Sequence, residues 1–142
     1  MRKISCSDPA GRLWIFEPAI NVDDPEDFTE ADAEARMWGK LPADYVNPRF
    51  VTDAEIPTDR TFRDAWDDAG SISVNMGKAR EIHRERMRRV RAPLLAALDI
   101  RQLRGEDVDA EKQVLRDVTA DPAIDSANTP DELKAVWPAV LR

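Results

Sequence analysis

Residues 75–104 read NMGKAREIHRERMRRVRAPLLAALDIRQLR. Apolar residues recur at Ala79, Ile82, Met87, Val90, Leu94, Leu98 and Ile100. Their spacing is mostly three or four, which predicts one long helix with a single buried face. Asn75 stands where an N-cap belongs. Pro93 falls inside the periodic run. Its ring has no amide proton and meets the carbonyl of Arg89, so a kink or break is expected near Arg91-Ala92.

Gly105 ends the periodic run. Beyond it, Asp107 or Asp109 is placed to cap a second helix, with Val108, Glu111, Val114, Leu115 and Val118 at helical spacing. Two helices joined by a short glycine turn form an antiparallel hairpin. Asp121-Pro122 interrupts the second helix. Thr129-Pro130-Asp131-Glu132 is the strongest local signal in the chain: an N-cap, a proline at the first helical position, and a glutamate three residues on. Leu133, Val136 and Trp137 then give a short last helix its apolar face, and Pro138 stops it.

Upstream, Thr58 or Asp59 is expected to cap a short helix that points Phe62 and Trp66 the same way and ends at Gly70. Ser71–Val74 reads as a short strand. Leu41–Pro57 holds Pro42, Pro48 and Pro57 and reads as an extended linker, with an edge strand over Tyr45–Thr52 interrupted at Pro48. Thr29 caps a helix with acidic residues in its first turn, running to about Trp38 and ending at Gly39. Lys3–Ser7 and Arg12–Glu17 flank Asp8-Pro9-Ala10-Gly11, which suits a type I turn. Leu13, Ile15 and Ile4 are expected on one face of this hairpin and Trp14 and Phe16 on the other. A hairpin with two apolar faces needs two partners, the domain itself and a neighbouring subunit. The expected class is α+β, a small N-terminal β-hairpin region over residues 1–57 followed by a helical domain over 58–142 with a kinked long helix.

The chain has 142 residues, room for one domain or one with an appendage. Charge is high and mean hydropathy negative, which implies a thin core and much solvated surface. The charge is segregated. Residues 1–70 carry 8 Lys/Arg against 16 Asp/Glu, residues 71–104 carry 9 against 3, and residues 105–142 carry 4 against 9. An acidic chain with one basic helix is unlike a typical nucleic-acid-binding domain. The arginine face is expected to pair with the acidic flanks, in this chain or in a neighbouring copy. The single Cys6 excludes an internal disulfide and a zinc cluster. The start, MRKISCSDPAGR, lacks a signal peptide's apolar core, and no run is long enough to span a membrane. Synthesis in a reducing cytoplasm is expected.

No set of residues matches a catalytic pattern. His83 is the only histidine, flanked on its helix by arginines, and is expected as a packed residue rather than a base. The carboxylates at Asp23, Asp24, Glu26 and Asp27, and at Asp64, Asp67 and Asp68, do not follow calcium-loop spacing. No Walker, GxGxxG or GxSxG pattern occurs. No catalytic residue, cofactor site or metal site is therefore expected. Arg84, Arg88 and Arg91 form one row on the long helix, the only arrangement here suited to phosphates. Trp14, Trp38, Trp66 and Trp137 each lie in a different short element, as aromatics that staple a thin fold do. Contact surfaces favour Trp and Arg, so the interface candidates are Trp14, Phe16, Trp66, Arg84, Arg88 and Arg91.

Four segments carry a resemblance: IPTDRTFRDAW (56–66), MGKAREIHRERMRRVRAPLLAALD (76–99), EKQVLRDVTADPAI (111–124) and TPDELKAVWP (129–138). Their order resembles small proteins encoded in the tail modules of tailed bacteriophages. The latter part is similar to the phage tail assembly chaperone family, where an arginine-led Leu-Leu…Asp segment precedes Leu-Arg-Asp-Val/Ile-Thr and the chain closes on Trp-Pro. The matching positions here are Arg91, Leu94, Leu95, Asp99, Leu115, Arg116, Asp117, Val118, Thr119, Trp137 and Pro138. The resemblance implies a non-enzymatic structural protein of the virion tail, at the baseplate, fibre attachment or neck. It would contact other tail proteins, be homo-oligomeric in the particle, and pass through the host cytoplasm during assembly. It also implies an alternative, a tail fibre assembly chaperone missing from the mature virion. A nucleic-acid-binding module using the arginine row is a third reading.

Overall fold

The computed structural model describes all residues from Met1 to Arg142. The protein is α+β, and the chain divides into two compact units, Met1–Asn75 and Met76–Arg142.

In the first unit, β1 (Lys3–Ser7) is the central strand of a three-stranded antiparallel sheet. It lies between β2 (Leu13–Phe16) and β3 (Val46–Val51). The β1–β2 turn forms as its sequence demands. The Gly11 amide donates to the Asp8 carbonyl, 2.9 Å away, closing Asp8-Pro9-Ala10-Gly11. Gly11 then takes φ +76°, the left-handed conformation that completes a three-residue hairpin loop. The Asp8 carboxylate accepts from the amides of Ala10 and Arg12, both at 2.9 Å.

Register corrects the expected faces. Ile4 pairs with Phe16 and Phe50, and Cys6 with Trp14. Directly opposed residues share a face, so Ile4 belongs with Trp14 and Phe16, while Leu13 and Ile15 share the other face with Ser5 and Val51. β3 is an edge strand, as Pro48 requires. Asn47 has φ +55°, and the β1–β3 register shifts between Ser5 and Ser7.

Both faces are covered. On one, helix α1 (Glu30–Gly39) sets Trp38 against Phe50, ring centroids 4.9 Å apart. Thr29 caps α1 in a complete capping box with Asp32. On the other face, the hairpin of β4 (Trp66–Asp68) and β5 (Ile72–Val74) closes a core of Leu13, Val51, Trp66 and Ile72.

This packing moves the expected boundary. Residues 58–74 belong to the sheet unit rather than to a helical domain beginning at 58. The short helix expected between a cap at Thr58 or Asp59 and a stop at Gly70 is only a 3₁₀ turn, Arg63–Ala65. Trp66 starts a strand instead, because burial in a sheet-faced core outweighs the weak local helix signal. Gly70, at φ +100°, makes the β4–β5 turn.

In the second unit, α2 (Met76–Leu103) is one continuous helix that runs through Pro93. Of the kink or break expected near Arg91-Ala92, the break does not occur. The bend of the helical part lies in Asp109–Ser126, where α3 (Asp109–Asp117) passes through a 3₁₀ turn, Val118–Ala120, into α4 (Pro122–Ser126).

The α2–α3 turn is a Schellman motif: the Glu106 amide bonds the Arg101 carbonyl at 3.2 Å and the Gly105 amide bonds Gln102 at 2.9 Å. Gly105 has φ +92°. The hairpin is antiparallel, because cross-contacts descend α2 as they ascend α3. Arg101 meets Glu111, Asp99 meets Lys112, and Arg91 meets the carbonyls of Leu115 and Arg116. Thr129 caps α5 (Pro130–Ala135) by accepting from the Glu132 amide at 3.2 Å. The Glu132 carboxylate reaches one residue further back than expected, to the amide of Asn128. Ala79, Met87, Leu98, Val108, Leu115, Val118, Ile124, Leu133 and Leu141 are buried.

Candidate protein–protein interface

The six residues singled out by composition end in different environments. Trp14 and Phe16 are half-buried on β2 and form an aromatic cluster with Tyr45, with centroids 6.1 to 6.5 Å apart. The Trp14 indole N–H donates to Asp8 Oδ2 at 3.0 Å, and the Arg12 guanidinium lies 5.1 Å from the Trp14 ring. The indole bond, followed by the Arg12 amide, holds the Asp8 carboxyl below the usual range. The cluster is a preformed amphipathic surface, of the kind that serves as a contact anchor. Tyr45 was not singled out from sequence, because it lies in the Pro-rich stretch away from β2 in the chain.

Trp66 is not a surface anchor. It is 2% exposed and packs with Leu13, Val51 and Ile72. Below it, Ser5 Oγ donates to Asp68 Oδ2 at 2.6 Å and Arg49 Nε to the same oxygen at 2.7 Å. Burial pushes the Asp68 carboxyl up, and Arg49, Ser5 and the Gly70 amide outweigh it, so its pKa falls below the ordinary value.

The arginine row is mostly internal. Arg84 is 17% exposed and bonds Glu81, Asp125 and the Thr119 carbonyl. Arg91 is half-buried and donates to Leu115 and Arg116 carbonyls at the C-terminal end of α3, where a cation is favoured. Arg88 keeps only a 3.4 Å contact to Glu85 and remains exposed. The acidic flank that pairs with Arg84 thus comes from Asp125, inside the helical unit. Two of the three arginines are engaged in closing the hairpin rather than presented as a row to phosphates.

His83 is buried, with Nε2 2.7 Å from the Val136 carbonyl oxygen and its ring edge-on to Trp137 at 5.6 Å. It joins α2 to the C-terminal segment, as expected of a packed histidine.

The helical unit also exposes apolar side chains that the periodicity assigned to the buried face. Val90, Leu94, Ile100 and Val114 are exposed, as are Leu103 and Val140. Leu98 and Ile100 are about 200° apart round the helix, so one stripe cannot bury both. A groove of about 360 Å³ is lined by Leu94, Ala97, Leu98, Val114, Leu115 and Val140 and ends at the Arg101–Glu111 ion pair.

No protein-family model matches the chain, and no curated protein or solved structure matches it. No helix is long and apolar enough to cross a membrane.

Proposed function

We propose that this chain is a non-enzymatic structural component of a bacteriophage tail, at the baseplate, fibre attachment or neck, contacting other tail proteins in the virion and assembled in the host cytoplasm. The observation that carries the reading is the shared role of the resembling residues. Arg91 bonds the carbonyls of Leu115 and Arg116, Asp99 pairs with Lys112 at 2.6 Å, and Trp137 packs on His83. In this chain the resembling segments from Met76 onward pack together within the helical unit, while residues 56–66 belong to the sheet unit. The surface outside that packing, namely the Trp14–Phe16–Tyr45 cluster and the exposed apolar positions of α2 and α3, suits contacts to neighbouring subunits.

Purified virions of a phage encoding this chain, digested and identified by mass, test the proposal. The chain is expected in mature particles at a fixed ratio to the other tail proteins. Its absence would overturn the reading.

The similarity of residues 91–138 to tail assembly chaperones favours one second reading, a fibre chaperone that leaves before maturation. Co-expression separates the two: a chaperone raises the yield of soluble fibre and is missing from the particle.

A further inference from the structure

The groove between α2 and α3 does not end at Val114 and Val140. A second hollow of about 560 Å³ shares both residues with it and continues over Val118, Pro122 and Pro138 to Asp117 and Asp121. Leu94 is 38%, Val140 40% and Val114 54% exposed. Large apolar side chains of α2, α3 and the C-terminal turn thus stand around one open groove, the kind of surface that marks a contact site. Its charged lining is one arginine against three carboxylates, Arg101 against Glu111, Asp117 and Asp121. Arg101 is already shared between Glu106 and Glu111. The Asp117 carboxylate accepts from the Gln113 side-chain amide at 2.7 Å, and the Asp121 carboxylate from the Ala123 backbone amide at 2.9 Å. Neither has a cationic partner. The nearest cation in the chain, Arg116, lies about 200° round α3 from Val114 and does not line the groove.

We infer that this groove receives one amphipathic helix of a partner protein, with apolar residues at i, i+3 or i+4 and i+7 laid against Leu94, Val114 and Val140, and with lysine or arginine beside Asp117 and Asp121. Three properties of the groove set that chemistry. The first is its backbone. The walls beside Leu94 and Val114 are α-helices, whose amides and carbonyls bond within themselves. They offer no row of donors and acceptors to an extended strand. A segment entering an apolar groove must therefore satisfy its own backbone, as a helix does. The second is length. Leu94 to Arg101 is about 10 Å of α2, the rise from i to i+7 in a docked helix. The third is charge. One end of the groove is closed by a neutralised arginine, and the other carries two carboxylates without a cation. Basic residues on the incoming helix complete those pairs, and acidic ones are repelled.

The inference gives a chemistry to one contact surface without depending on the particle, since a chain absent from virions still binds such a helix. A peptide of about 18 residues, long enough to be helical when bound, with leucines on one face and lysines elsewhere, tests it by titration into the isotope-labelled full chain. Saturable binding in the micromolar range is expected. Amide shifts should concentrate at Leu94, Ala97, Val114 and Val118, with a gain of helical circular dichroism. The counterpart with glutamate for lysine should bind at least about tenfold more weakly. Asp117→Asn with Asp121→Asn keeps the cap on α4 and removes both charges, and should bring the two peptides to within about threefold of each other. Asp23→Asn with Asp27→Asn makes the same change of net charge in the sheet unit and should leave the preference intact. Val114→Gln should weaken the lysine peptide about tenfold, and an unchanged spectrum of each free variant confirms that it is folded. The absence of saturable binding, equal affinity for the two peptides, a preference that survives the loss of Asp117 and Asp121 or disappears with Asp23 and Asp27, or shifts outside the groove would each overturn the inference. Groove shifts on concentrating the chain alone would overturn it too, by assigning the groove to a second copy.

Discussion

Arg91 donates from Nη1 to the carbonyl oxygen of Arg116 at 2.9 Å and reaches the Leu115 carbonyl with the same nitrogen at 3.3 Å. These are the last carbonyls of α3, which lack helical partners of their own. Truncation to Arg91→Met keeps the stem and removes the guanidinium. Charged hydrogen bonds contribute about 1.5–3 kcal/mol where buried, and this one is half-exposed. A loss of about 1–2 kcal/mol is expected, measured as a lower midpoint in urea with an unchanged slope. Arg91→Lys should rescue little, because an ammonium lacks the planar fork. An unchanged midpoint would show that the contact adds nothing.

Thr129 offers a smaller and cleaner change. Its hydroxyl accepts from the Glu132 amide, and the helix it starts buries Leu133 completely. Thr129→Ala should cost about 1 kcal/mol, while Thr129→Ser should be nearly silent. Equal losses in both variants would place the effect in the methyl group rather than the cap.

Acid stability of the sheet unit should depend on a few carboxylates. Glu55 accepts from Arg49 first, then from the amide and hydroxyl of Thr52, and its pKa falls from 4.5 to about 2. Asp8 and Asp68 are lowered as well. A lowered folded pKa means the unfolded chain takes up protons first. The stability these groups confer is therefore complete above the ordinary carboxylate range and lost as pH falls toward about 2. Thermal melts across that window should show a falling midpoint. Glu55→Gln should start lower at neutral pH and fall less steeply. A variant with the wild-type slope would contradict the assignment.

Local signals were legible wherever the chain's own chemistry decides the conformation. The caps at Thr29 and Thr129, the Asp8–Gly11 turn, the Gly105 stop and the edge strand at Pro48 all form from short-range hydrogen bonds or fixed dihedrals. What the sequence hid depends on partners far along the chain. Trp66 reads as a helix residue beside Phe62 until Leu13 and Val51 supply an apolar floor for it. Ile4 joins the Trp14 face only through strand register. The arginine row looks like a surface until α3 and Asp125 close over Arg84 and Arg91. Ile100 counts toward the apolar periodicity of α2 but lies across the helix from Leu98.

Trp66 therefore tests the boundary of the sheet unit. Trp66→Ala removes the largest side chain from the core it shares with Leu13, Val51 and Ile72. A loss of about 3–5 kcal/mol is expected, enough to unfold a marginal unit. Amide exchange should collapse in β1 and β3 together with β4 and β5. Exchange confined to residues 58–74 would instead mean that this hairpin is an appendage.

Pro93 sets the opposite sign. It lies within a continuous helix and withholds a donor from the Arg89 carbonyl. A proline in a helix interior costs about 3 kcal/mol relative to alanine. Pro93→Ala also returns freedom to the unfolded chain, a loss of up to about 1 kcal/mol. The net gain should be about 2 kcal/mol in urea unfolding. Because Pro93 is exposed, no cavity or clash offsets the gain. A destabilised variant would mean that the helix needs the proline's geometry, and that α2 is held in a shape alanine does not favour.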